Sequence, residues 1–110
     1  MITQEPITDE LVQEITRKIV QSFHPNRIIA FGSYARGEQK PDSDLDLVIE
    51  MESDEPFYQR GLGFAALFRD RRWAMDLLVY TPREFRELSR VFGSLPYSIE
   101  RKGKVLYERS

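Results

Sequence analysis

Leu11, Val12, Ile15, Ile19 and Phe23 recur at three- and four-residue intervals, which predicts a helix with one apolar face. Thr8 is its expected N-cap, Asp9 and Glu10 suit its first turn, and Pro25 ends the pattern. Arg27 to Phe31 is short, β-branched and apolar, and so reads as a buried strand. Gly32-Ser33 follows at once, and the ARGEQKPDS stretch reads as a short turn or helix and then a loop. Asp44 to Glu50 is expected to be a second strand, with Asp44, Asp46 and Val48 on one face and Leu45, Leu47 and Ile49 on the other. Phe57 to Phe68 is expected to be helical, although Gly61 and Gly63 weaken it. Trp73 to Tyr80 reads as a third strand. Thr81, Pro82 and Glu84 supply a cap, a first-position proline and a capping-box acid for a helix expected to reach Val91 or Phe92 and stop at Gly93. A short helix around Pro96 to Lys102 then leads to a last strand, Lys104 to Tyr107. The order α-β-β-α-β-α-α-β predicts an α/β (α+β) domain, a small mixed sheet with helices packed on it.

Composition narrows the chemistry more than the fold. A length of 110 residues fits a single domain over residues 1–110, and 41% hydrophobic residues suffice for its core. The net charge of −2 gives no general attraction to nucleic acid, so no direct nucleic-acid binding is expected. No apolar run is long enough to span a bilayer, and the first ten residues do not resemble a signal peptide, so a cytoplasmic location is expected. With no cysteine and one histidine, disulfides, thiolate nucleophiles and multi-histidine metal sites are excluded. What remains is chemistry on carboxylates, hydroxyls, basic residues and backbone.

Three aspartates stand where strands disfavour them. Asp44 and Asp46, two residues apart, project from one strand face, close enough to grip one or two divalent cations, and Asp76 interrupts the apolar run of the next strand as a third candidate ligand. All-oxygen donors favour Mg²⁺ or Mn²⁺. The plainer reading, that each aspartate sits in solvent at a strand end, fits any one of them better than all three. An EF-hand reading of Asp42, Asp44 and Asp46 fails, because Leu47 stands at the sixth position and Ser53 at the twelfth.

The turn FGSYARG is the second element. A strand, Gly32, Ser33 and a following helix would aim backbone N–H groups at an anion, with the Ser33 hydroxyl and the Arg36 guanidinium as further donors. The required positions of a Walker loop or a nucleophile elbow are missing. Ser33 as a covalent nucleophile is disfavoured because His24 lies before the strand, where it reads as a surface helix-end residue.

Gly32-Ser33, ten intervening residues and Asp44-Leu45-Asp46 resemble the signature of the DNA polymerase β-like nucleotidyltransferases. The string GSYARGEQKPDSDLDL, the apolar strand with Asp76 and the ending IERKGKVLYE are similar to the minimal nucleotidyltransferases (MNT type), partners of HEPN proteins in toxin–antitoxin pairs. The resemblance implies that Gly32 and Ser33 hold a triphosphate, that Asp44 and Asp46 bind both metal ions, and that Asp76 helps activate the attacking hydroxyl. It implies two Mg²⁺ ions, ATP as substrate, and pyrophosphate as leaving group. Arg36 matches the group's extension of the turn and is the candidate for a further phosphate or partner contact. Larger relatives carry a helical acceptor-binding domain for which this length leaves no room. The expected acceptor is therefore a partner or a second copy: a tyrosine hydroxyl of a HEPN-type toxin, AMPylated by an antitoxin of a type VII-like pair, within a homo- or hetero-oligomer.

Two other functions compete. One is a non-catalytic antitoxin that neutralises by complex formation; the other is a nucleotidyltransferase acting on a small molecule. Elsewhere, Arg69, Arg71 and Arg72 read as a solvated loop, and Phe57, Phe64, Phe68, Phe85 and Phe92 as helix core residues, some of them available to a partner. Tyr97 and Tyr107 read as packing residues.

Overall fold

In the computed structural model, which describes residues 5–110, a four-stranded mixed sheet is covered by helices on both faces. Helix α1 (Asp9–Phe23) starts where Thr8 Oγ1 accepts the Leu11 N–H and ends at His24, whose φ of 51° turns the chain left-handed before Pro25. Strands β1 (Arg27–Phe31) and β2 (Leu45–Glu50) are antiparallel, and β2 pairs in parallel with β3 (Met75–Tyr80). A single turn of 3₁₀ helix (Phe57–Gln59) and helix α2 (Leu62–Leu67) lie in the β2–β3 crossover. Helices α3 (Pro82–Leu88) and α4 (Leu95–Lys102) precede β4 (Lys104–Glu108), which pairs antiparallel with β1. The sheet order is β3-β2-β1-β4.

Alternation along β2 sorts the core. Leu45, Leu47 and Ile49 pack with α1 and with Phe64 and Phe68, while Val48 packs on the other side with Ile29, Tyr80, Phe85 and Ile99. Both faces of the sheet are thus buried, and Asp46 lies on the α3/α4 face with Val48. The expected α/β architecture is the one observed, and no helix among the described residues is long and apolar enough to cross a membrane.

Several element boundaries differ from expectation. The helix expected over Phe57 to Phe68 is split at Arg60, whose guanidinium bonds the carbonyls of Glu55 and Val79 and the carboxylate of Glu84. The helix after Thr81 ends at Leu88, short of Val91, because Ser94 Oγ donates back to the Leu88 carbonyl while also capping α4 at the Tyr97 N–H. Strands two and three begin at Leu45 and Met75, after Asp44 and Trp73. The aromatic expectation also needs correction: Phe64, Phe68 and Phe85 are buried, but Phe57 is half-exposed and Phe92 is 85% exposed.

Candidate active site

Strand registers bring the carboxylates together. Antiparallel pairing sets Phe31 opposite Asp46, and parallel pairing sets Asp46 beside Asp76, on strands about 4.8 Å apart. Both side chains therefore rise from the same sheet face. Asp44 stands just before β2, two residues from Asp46. Asp76 is exposed, whereas Asp46 is half-buried on the neighbouring strand. Burial pushes the Asp46 carboxyl above its ordinary range, the negative charges of Asp76 and Asp44 push it further, and only Arg36 pulls the other way. Among the described residues, no lysine or arginine makes an ion pair with any of the three.

Such a cluster suits a cation better than it suits an empty site. Its donors are all carboxylate oxygens, and His24 caps α1 at the far end of β1 from Gly32. Among the described residues, no group of three or more His, Cys, Asp or Glu side chains is arranged to hold a metal ion by itself. Mg²⁺ does not require one, since it is commonly bound by one or two carboxylates, with waters and substrate phosphates completing its octahedron. The uncompensated charge and hard oxygen donors fit that mode of binding.

The Gly32-Ser33 turn leaves the end of β1 beside Asp46. Gly32 has φ +73°, and a Cβ built on it would run into Asp46 Oδ2. A side chain there would have to displace the Asp46 carboxylate as well as adopt a left-handed backbone. Of the short turn or helix expected after Ser33, the turn is what forms: residues 32–37 make successive turns, with Arg36 N–H donating to the Gly32 carbonyl at 3.3 Å, Gly37 N–H to that of Tyr34 at 3.1 Å and Glu38 N–H to that of Ser33 at 2.9 Å. Gly37, at φ +70°, closes the run before a helix can propagate. Anion binding here depends on local N–H groups without a helix dipole behind them. Arg36 is exposed, and its Nε donates to Glu38 at 3.1 Å.

Tyr34 is not singled out by the sequence pattern, yet it anchors this turn. Its ring is buried, its hydroxyl donates to Asp9 Oδ1 at 2.7 Å, and Lys104 Nζ lies 5.1 Å from the ring centre. Burial, reinforced by Asp9, pushes the phenol up to about 12, so it stays protonated. In sequence Tyr34 resembles any polar turn residue; its one signal is Asp9, which serves equally well as a first-turn acid. Two plain surface readings hold. His24 is exposed at the end of α1, and Arg69, Arg71 and Arg72 are exposed.

A model of the nucleotidyltransferase domain family matches residues 13–108, a span that includes the turn and all three aspartates. The chain belongs to that family. This nucleotidyltransferase domain is 39% identical over 80 residues to the probable protein adenylyltransferase MntA of Haemophilus influenzae, covering 69% of this chain and 70% of that protein. Matches to adenylyltransferases of Methanocaldococcus jannaschii and Thermococcus cleftensis are shorter, and the chain spans about half the length of those relatives, 48% and 52%. Its fold is similar to that of a Sulfolobus solfataricus crystal structure described as a nucleotidyltransferase (TM-score 0.64, 19% identity, 91% of this chain and 79% of the other). It is also similar to a chain in a toxin–antitoxin structure with AMP-PNP (TM-score 0.55, 19% identity, 89% and 74%).

Proposed function

We propose that this domain transfers AMP from ATP to a hydroxyl, with tyrosine the expected class, on a cognate HEPN-type toxin, and so acts as the antitoxin of the pair. The observation that carries the reading is the juxtaposition of Asp46 and Asp76 on adjacent strands with Gly32 against Asp46. The adenylyltransferase names of the relatives and the AMP-PNP in the toxin–antitoxin structure support the nucleotide and the partner class.

In this reading Gly32 and Ser33 bind the phosphate tail through backbone N–H groups and the Ser33 hydroxyl, and Arg36 adds a charged contact. Asp44 and Asp46 would hold Mg²⁺, with substrate phosphates and waters completing its shell and Asp76 on the neighbouring strand available as a third ligand; Mn²⁺ would fit the same oxygens. When bound, the ions supply charge stabilisation to the attacking and leaving oxygens. Asp76, exposed on the edge strand, accepts the proton of the acceptor hydroxyl. The acceptor oxygen then bonds to the α-phosphorus, the bond from that phosphorus to the bridging oxygen breaks, and pyrophosphate leaves with the electron pair. The half-buried position of Asp46 fixes its carboxylate against Gly32, which orients the cluster before substrate arrives.

Incubating the protein with ATP, Mg²⁺ and the toxin should add the mass of AMP to the toxin. Asp44→Asn or Asp46→Asn should abolish the addition, and an unmodified toxin with wild-type protein would overturn the reading. Neutralisation by binding alone is a second reading, favoured by the exposed Val91 and Phe92 between α3 and α4. Full rescue of growth by a folded Asp44/Asp46 double variant would favour binding; none would favour chemistry.

A further inference from the structure

A cavity of about 220 Å³ opens on the same sheet face as the carboxylates, between the Gly32 turn and α4. Phe31 and Ile99 form its apolar floor, Gly32 and Arg36 one wall, and Ser98 and Lys102 the other. Ser98 and Lys102 are four residues apart on α4 and therefore share its face. Their wall is fixed in place by Gly103. A Cβ there would lie 2.6 Å from the Ile99 carbonyl oxygen and 2.7 Å from Ile29 Cγ2, so the end of α4 is pressed onto β1. Gly32 belongs to both places, with Asp46 against its Cα and its backbone at the cavity wall.

This arrangement puts Gly32 between a carboxylate and a cavity lined by two bases. Asp46 lies against Gly32 on its carboxylate side, and Arg36 and Lys102 line the cavity that Gly32 borders, with Arg36 also within electrostatic reach of Asp46. Arg36 already pairs with Glu38, but Lys102 makes no ion pair or side-chain hydrogen bond with any described residue. An elongated polyanion bound at its near end by the carboxylate-held cations would pass over Gly32 and end between the two bases.

We infer that Lys102, with Ser98 beside it, is a binding residue for the β- and γ-phosphates of the nucleoside triphosphate and for pyrophosphate as it departs. The inference rests on the AMP-transfer reading and adds the residue that receives the leaving group. When the bond at the α-phosphorus breaks, its electron pair stays on the pyrophosphate oxygen, and the Lys102 side chain offsets the added negative charge.

The test is calorimetric titration of the full chain, with Mg²⁺ present, by ATP, inorganic pyrophosphate and AMP. Lys102→Ala should weaken ATP and pyrophosphate about tenfold, leave AMP unchanged, and regain affinity as Lys102→Arg. Unchanged ATP affinity in Lys102→Ala would overturn this assignment alone. Equal weakening of AMP would also overturn it, by giving the cavity to the nucleoside end. A lower Tm with all three affinities intact would reduce Lys102 to a charge at the end of α4 and overturn it too. Wild-type protein that binds none of the three overturns the AMP-transfer reading together with this one.

Discussion

Gly32 and Asp46 occupy each other's space: the Cβ that any other residue would carry at position 32 falls on the Asp46 carboxylate. The close approach follows from two separate facts of the chain. Antiparallel register sets Phe31 opposite Asp46, and a φ of +73° then swings the backbone over that carboxylate. Gly32→Ala therefore carries two penalties, about 1–2 kcal/mol for the left-handed backbone and a displaced Asp46. AMP transfer should fall about 100-fold, with a lower Tm. Unchanged activity would show that the turn and the carboxylate are not coupled.

Substituting the aspartates should separate function from stability. Asp46→Asn removes a carboxylate whose charge is raised in energy by burial and by its neighbours. It should reduce transfer about 10³-fold while stabilising the ligand-free protein by about 0.5 kcal/mol, a rise of about 3 °C in Tm. Mg²⁺ should raise the Tm of wild type and leave that of Asp46→Asn nearly unchanged. Thermal scans with and without Mg²⁺ read both effects. A variant less stable than wild type would mean that Asp46 serves the fold.

Most of this architecture is legible in the sequence because the apolar periodicities are strong and both faces of the sheet are buried. The alternation of Leu45, Leu47 and Ile49 with Val48 is enough to sort the two core layers, and the DLD spacing puts its carboxylates on one face. Expectation fails where a side chain far along the sequence overrides local preference. Arg60 breaks the Phe57–Phe68 helix by reaching Val79 and Glu84, and Ser94 ends α3 by returning to Leu88. The pairing of Asp76 with Asp46 is a register, and the cavity that Gly32 and Lys102 share is set by the packing of α4 on β1. Neither distance along the chain nor residue type encodes them.

Tyr34→Phe tests whether the turn is fastened from behind. The substitution keeps the buried ring and deletes only the hydroxyl bond to Asp9. A hydrogen bond to a charged acceptor contributes about 1.5 kcal/mol, so Tm should drop by about 6 °C. Since Gly32 and Ser33 are the two residues before Tyr34, the KM for ATP should also rise, with kcat less affected. A lowered Tm with an unchanged KM would confine Tyr34 to stability.

Glu84 should make the fold sensitive to acid. It caps α3 by accepting the Thr81 N–H at 2.9 Å and pairs with Arg60 at 2.6 and 3.1 Å. The Arg60 guanidinium, aided by the Thr81 backbone, pulls its carboxyl down to about 2. A folded-state value below the unfolded 4.5 means that the ionised form favours folding. The contribution is complete above about pH 5 and is lost as pH falls from there toward 2. Because the Glu84 side chain is 39% exposed, solvent screening limits the pair to about 1 kcal/mol. Glu84→Gln should therefore lower Tm by about 4 °C near neutral pH, and the gap from wild type should close as pH approaches 2. A gap independent of pH would assign the effect to the cap alone, without the charge on Glu84.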